Sequence, residues 1–138
     1  MIRLYNILKS RKRELVYIPL WIYWAILLTL TSLPSTTFID TFRFSDKIKH
    51  FGAYAILGLL LSLASYFQSK WEILSKYFWS GAVIIASVYG MLDEIHQMFI
   101  PNRSAEILDW VADFTGAMFG GLIIYLFIRK VNSLIGTK

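Results

Sequence analysis

The sequence contains no cysteine and only three prolines in 138 residues, and charge is scarce, with Asp, Glu, Lys and Arg at 17%. Without cysteine there is no disulfide framework and no thiolate-held zinc or iron–sulfur centre. A soluble domain usually carries about a quarter charged residues. Here the shortfall is filled by apolar residues, at 57% with 17% aromatic and a mean hydropathy of +0.54. That balance excludes a disordered tail. The length allows one domain. The net charge of +5 fits either nucleic acid or a membrane, and the positions of the charges decide between them.

Four stretches carry no Lys, Arg, Asp or Glu: Leu15 to Ile39, His50 to Ser69, Tyr77 to Leu92 and Phe114 to Ile128. A membrane helix needs roughly 20 mostly apolar residues. The first two stretches are long enough alone. The last two reach that length only if Asp93 and Glu94, or Asp109 and Asp113, sit at or inside the membrane edge. The pattern predicts an all-α, polytopic membrane protein with four transmembrane helices, at about 15–33, 48–67, 75–98 and 106–129. Residues 1–14 form a basic N-terminal arm, 15–129 the transmembrane domain and 130–138 a tail. The first stretch reads as a retained span: it is long, bulky at Trp21, Tyr23 and Trp24, and lacks a small-residue cleavage site before Pro34.

Ten of the 14 Lys and Arg residues fall at the two termini and in the loop holding Lys70 and Lys76. Four fall on the other side: Arg43, Lys47, Lys49 and Arg103. The positive-inside rule then places both termini in the cytoplasm. The basic arm serves topology and attraction to anionic membrane lipid, and no nucleic-acid partner is expected. Trp71, Trp79 and Trp110 fall near span ends and read as interfacial anchors. Ser35 to Ser45, with Thr36, Thr37, Asp40 and Arg43, is the longest external piece and reads as a loop or a short interfacial helix.

Five of the nine acids, Asp46, Asp93, Glu94, Asp109 and Asp113, map to the external half of the helices. Asp46 and His50, Asp93 and Gln97, and Asp109 and Asp113 are each four apart, so each pair shares a helix face. Asp46, His50, Tyr54 and Leu57 make one stripe; Asp93, His96 and Gln97 make another. On the last helix the Asp109–Asp113 face continues through Gly116 and Gly120, where small residues allow close helix approach. The two aspartates are therefore expected to look inward. For Gly116, Gly120 and Gly121 two uses stay open, packing within the bundle or the contact of a homo-oligomer. Ser104 is the expected N-cap of the last helix.

An ionisable residue inside a span is costly and by default marks a functional cavity. A structural polar network is the rival. His50, Asp93, Glu94 and Asp109 are the candidates for acid–base chemistry. Asp46, Lys47, Gln97, Arg103 and Asp113 are the candidates for holding a ligand. The same Asp, Glu and His set suits a divalent cation. Asp93-Glu94-Ile95-His96 lacks the paired histidines of a zincin. Arg103 in Pro101-Asn102-Arg103-Ser104 has two readings: a bidentate grip on phosphate, or neutralisation of nearby acids.

These blocks resemble the VanZ-like family. Its pattern is D-K-x-x-H, D-E-x-x-Q, an arginine turn, and D-x-x-x-N-x-x-G opening the last helix. The matching residues are Asp46-Lys47 with His50, Asp93-Glu94 with Gln97, Pro101 to Ser104, and Asp109 through Gly116. Ser32-Leu33-Pro34 is similar to the family's S-x-P region. Two positions depart. Asn102 replaces a usual glycine and tolerates the left-handed turn. Asp113 replaces a usual asparagine. The resemblance implies a bacterial inner-membrane protein whose namesake is linked to resistance to the glycopeptide teicoplanin. The expected ligand is a cell-envelope component, a lipid-linked phosphate or a glycopeptide. A membrane enzyme and a scaffold that docks a partner are the alternatives.

Overall fold

The computed structural model describes residues 1–34 and 45–136. The segment with Thr36, Thr37, Asp40 and Arg43 lies outside the described residues, as does Lys138. The order is α1 (Ile2–Ser10), a π-helical stretch (Arg13–Tyr17), α2 (Ile18–Ser32), α3 (Ser45–Phe67), α4 (Glu72–Lys76), α5 (Phe78–Gln97) and α6 (Ile107–Ile135). Among the described residues there are no strands, and four helices are long and apolar enough to cross a membrane: Arg13–Ser32, Asp46–Phe67, Phe78–Gln97 and Ile107–Ile135.

Three boundaries differ from expectation, each for a physical reason. The N-terminal arm is a helix, because Tyr5 and Leu8 pack against the cluster of Val16, Leu63, Phe67 and Ile128. The π-helical stretch lies where Pro19 has no N–H to give the Leu15 carbonyl, and a wider turn absorbs the defect. The last helix runs past Arg129 and Lys130 to Ile135, since Val131 is fully buried while the two basic side chains point outward. It stops at Gly136, whose φ of +74° is the left-handed cap that glycine adopts cheaply.

Contacts set the directions. Tyr23 Oη donates to the Ala53 carbonyl at 2.8 Å, and Lys12 Nζ to the Phe67 carbonyl at 3.0 Å, so α2 runs antiparallel to α3. The lysine thereby caps the negative end of α3. Trp79 Nε1 donates to the Met118 carbonyl at 3.3 Å, and Trp110 Nε1 to the Ser87 carbonyl at 3.0 Å, so α5 runs antiparallel to α6. These two indoles are interhelical ties more than interfacial anchors. Trp71 is exposed, with Lys70 Nζ 5.7 Å from its ring centre.

The closest packing joins α3 to α6, which run parallel. A Cβ on Gly116 would overlap the Phe51 carbonyl oxygen, and one on Gly120 the Ala55 carbonyl oxygen. A Cβ on Gly58 of α3 would overlap backbone atoms of Ala117. The glycine face of the last helix is thus used inside the bundle, backbone against backbone. Lipid is as apolar as leucine, so such van der Waals fit, rather than burial from water, holds membrane helices together. Apolar side chains such as Trp21, Ile84 and Phe119 cover the outside.

Gly120→Ala should force α3 and α6 apart and cost about 1–3 kcal/mol of stability. Gly52 is the control: a methyl group there would meet nothing within 4 Å, and Gly52→Ala should cost nothing. Thermal unfolding in detergent checks both; equal melting of the two variants contradicts the packing.

Candidate functional site

The α3–α6 register brings the motif residues together at one end of the bundle. There α3 and α6 begin and α2 and α5 end. Asp46 and Asp109 lie in the first turns of α3 and α6, where the helix dipole favours a carboxylate. Asp93, Glu94 and Gln97 lie in the last turns of α5, where it does not. Asp93, Glu94, Gln97, Asp109 and Asp113 are all buried, and Asp113 completely so. Asp46 remains exposed.

Each buried acid finds part of a solution. Lys47 Nζ bridges Asp109 Oδ1 at 2.5 Å and Glu106 Oε2 at 2.6 Å. His50 Nδ1 lies 2.9 Å from Asp113 Oδ1. An ionised carboxylate only accepts, so that nitrogen then carries the proton. Gln97 Nε2 donates to Asp93 Oδ2 at 3.1 Å. Glu94 Oε2 accepts the Glu106 backbone N–H at 2.8 Å. Glu106 is the N-cap residue of α6. Glu94 thus makes, from another helix, the bond that a capping-box glutamate makes within its own. Ser104 is not the cap.

Other atoms are left over. Asp93 Oδ1, Glu94 Oε1, Asp113 Oδ2 and the hydroxyls of Tyr54 and Tyr89 are buried without a partner. Buried polar atoms almost always have one, so these oxygens are open to a water or a ligand. The two rings stack at 6.1 Å. Gly90 makes room for Tyr54 and Asp113: a Cβ there would stand 3.0 Å from Asp113 Oδ2 and 3.2 Å from the Tyr54 ring. Coordinating atoms of His50, Glu94 and Asp113 lie within 4.8 Å of one another, and so do those of Asp46, His50 and Asp109. His50 is common to both groups.

Two polar residues turn elsewhere. Arg103 donates from Nε to the Leu33 carbonyl and from Nη2 to the Leu30 carbonyl, each at 2.9 Å. It caps the C-terminal end of α2, a third use beside phosphate binding and neutralisation of acids. His96 is exposed, and its Nε2 lies 3.1 Å from Ser32 Oγ. Asn102 adopts φ +61°, the left-handed turn expected of it. Two site residues are not evident from sequence patterns alone. Glu106, three residues before Asp109, joins the site through Lys47 on another helix, and Gly90 interrupts a helix with no local reason to be glycine.

Lys47→Met strands Asp109 against its neighbours and should cost about 1–3 kcal/mol. Adding Asp109→Asn should recover part of that loss. Unfolding of the single and double variants measures the coupling, and strict additivity contradicts the pairing.

A family model described as VanZ/LLP1 matches residues 9–128. No curated protein matches, and no solved structure matches. The family match covers most of the chain, reaches all four span-length helices and takes in every motif block, and the chain therefore belongs to the VanZ/LLP1 family as a multi-pass membrane protein.

Proposed function

We propose that this is a bacterial inner-membrane protein with both termini in the cytoplasm and an outward-facing polar pocket. The pocket binds or modifies a cell-envelope component, a lipid-linked phosphate or a glycopeptide, and so affects glycopeptide resistance. One observation carries the reading. Four buried carboxylates and His50, from three helices, meet at the end of the bundle opposite Lys12, Lys70, Lys76 and Arg129, with several oxygens unpartnered. The carboxylate excess governs what enters. An amine of a glycopeptide suits it directly, whereas a phosphate needs a cation between.

The rival is a network that only holds the helices together. It has support: Lys47–Asp109, His50–Asp113 and Glu94–Glu106 tie one helix to another, and Arg103 ties the turn before α6 to α2. Asp93 separates the two readings, because its bond to Gln97 lies within α5. Asp93→Asn should leave the amount and melting of the protein unchanged and abolish the envelope phenotype, read as glycopeptide susceptibility against a deletion strain. Unchanged susceptibility in both Asp93→Asn and His50→Gln, at normal protein levels, contradicts the pocket.

A catalytic version of the same pocket is favoured by one geometry. The His50 imidazole is oriented by Asp113, the pairing used by a general acid–base. Asp113→Asn would then lower turnover more than ligand binding.

Topology has its own test. The chain has no cysteine, so one introduced thiol is unique. Ser104→Cys should react with an impermeant maleimide on intact cells, and Lys70→Cys only after permeabilisation. The reverse pattern contradicts the orientation.

A further inference from the structure

We propose that His50, Glu94 and Asp113 form a binding site for a divalent transition-metal cation of the Zn²⁺ or Mn²⁺ class. The inference deepens the pocket reading and rests on it. The clustering of acids alone would not carry it. The second observation is what those acids lack. Glu94 and Asp113 are each more than nine-tenths buried, and each presents an oxygen with no partner, Oε1 and Oδ2.

The two carboxylates already have their other oxygens engaged. Glu94 Oε2 holds the start of α6, and Asp113 Oδ1 holds His50. Glu94 Oε1 can therefore take an ion with the start of α6 still held, while His50 Nδ1, to coordinate that ion beside Asp113, exchanges its proton and its bond to Asp113 Oδ1 for the metal. Two carboxylates balance one divalent charge, which answers the cost of burying them. The donor set decides the ion. One imidazole nitrogen and two carboxylate oxygens lie between the all-oxygen shells of Mg²⁺ and Ca²⁺ and the thiolate shells of softer metals. Coordinating atoms around a tetrahedral zinc stand roughly 3.4 Å apart. Here one coordinating atom from each of the three residues lies within 4.8 Å of the other two. Three protein ligands leave a coordination position for water or a substrate oxygen.

The alternative trio of Asp46, His50 and Asp109 is less suited. Asp46 is exposed, and Asp109 is held by the Lys47 ammonium. Glu94 also lines a groove beside the site, of about 340 Å³, together with Glu106 and the apolar Met91, Ile95, Ile107 and Trp110. An ion in this position also supplies the cation that a phosphate would need to approach so acidic a site.

The full chain, purified without a polyhistidine tag, reconstituted in nanodiscs and stripped with chelator, is titrated with Zn²⁺ and with Mn²⁺. Calorimetry and Mn²⁺ paramagnetic resonance read the binding. We expect one ion per chain, weakened at least tenfold in Glu94→Gln and in Asp113→Asn and unchanged in Asp46→Asn. Glu94→Gln should melt like the wild type in the metal-free state, because the amide oxygen still accepts the Glu106 N–H. If Glu94→Gln does not fold, Asp113→Asn carries the comparison. Absence of stoichiometric binding to the wild type overturns the metal site. So does binding that is lost in Asp46→Asn and kept in Glu94→Gln. The pocket reading stands or falls separately, on the susceptibility of the Asp93→Asn strain.

Discussion

The contact of α3 on α6 sets everything else in this molecule. Gly58, Gly116 and Gly120 remove the side chains that would keep the two backbones apart. At that distance the helices cannot slide without a clash, so their register is fixed to within a turn. The register puts Lys47 opposite Asp109 and His50 opposite Asp113. A longer side chain at any of the three glycines would move both pairs at once. The chemistry at one end of the bundle thus depends on bare backbone in its middle.

Within that frame the polar residues divide by what they touch. Lys47, Arg103 and one oxygen of Glu94 hold helices to one another or close their ends. Asp93, the second oxygens of Glu94 and Asp113, and the Tyr54 and Tyr89 hydroxyls do neither. One side chain can belong to both groups, as Glu94 does with its two oxygens. Substitution of a motif residue therefore reports on function only when the atom that holds the fold is kept. This is why amide replacements, which preserve shape and an acceptor, tell more than alanines here.

The sequence was legible where one helix's own periodicity carried the answer. Charge-free stretches marked the four spans. The face shared by Asp109, Asp113, Gly116 and Gly120 faces inward, and Tyr54 and Leu57 continue the His50 stripe into the core. Asn102 takes the left-handed turn because that preference is local. What escaped was tertiary. The cap of α6 comes from Glu94 on another helix, and Arg103 reaches back about seventy residues to Leu30 and Leu33. Nothing in the spacing of either residue announces its partner. The N-terminal helix was hidden differently: at nine residues it is too short to read as a span, and its packing through Tyr5 and Leu8 is tertiary.

Helices α3 and α6 lie parallel in the one register that brings the polar cluster together, and the proposed pocket depends on that register. Cross-linking in native membranes tests it directly, since the chain has no cysteine of its own. Lys47→Cys paired with Glu106→Cys should be bridged efficiently by a short bis-maleimide, because those side chains touch at 2.6 Å. Ile48→Cys, a third of a turn away and facing outward, should link poorly to the same partner. Equal linking by both positions, or preferential linking through Ile48→Cys, would contradict the register and with it the pocket.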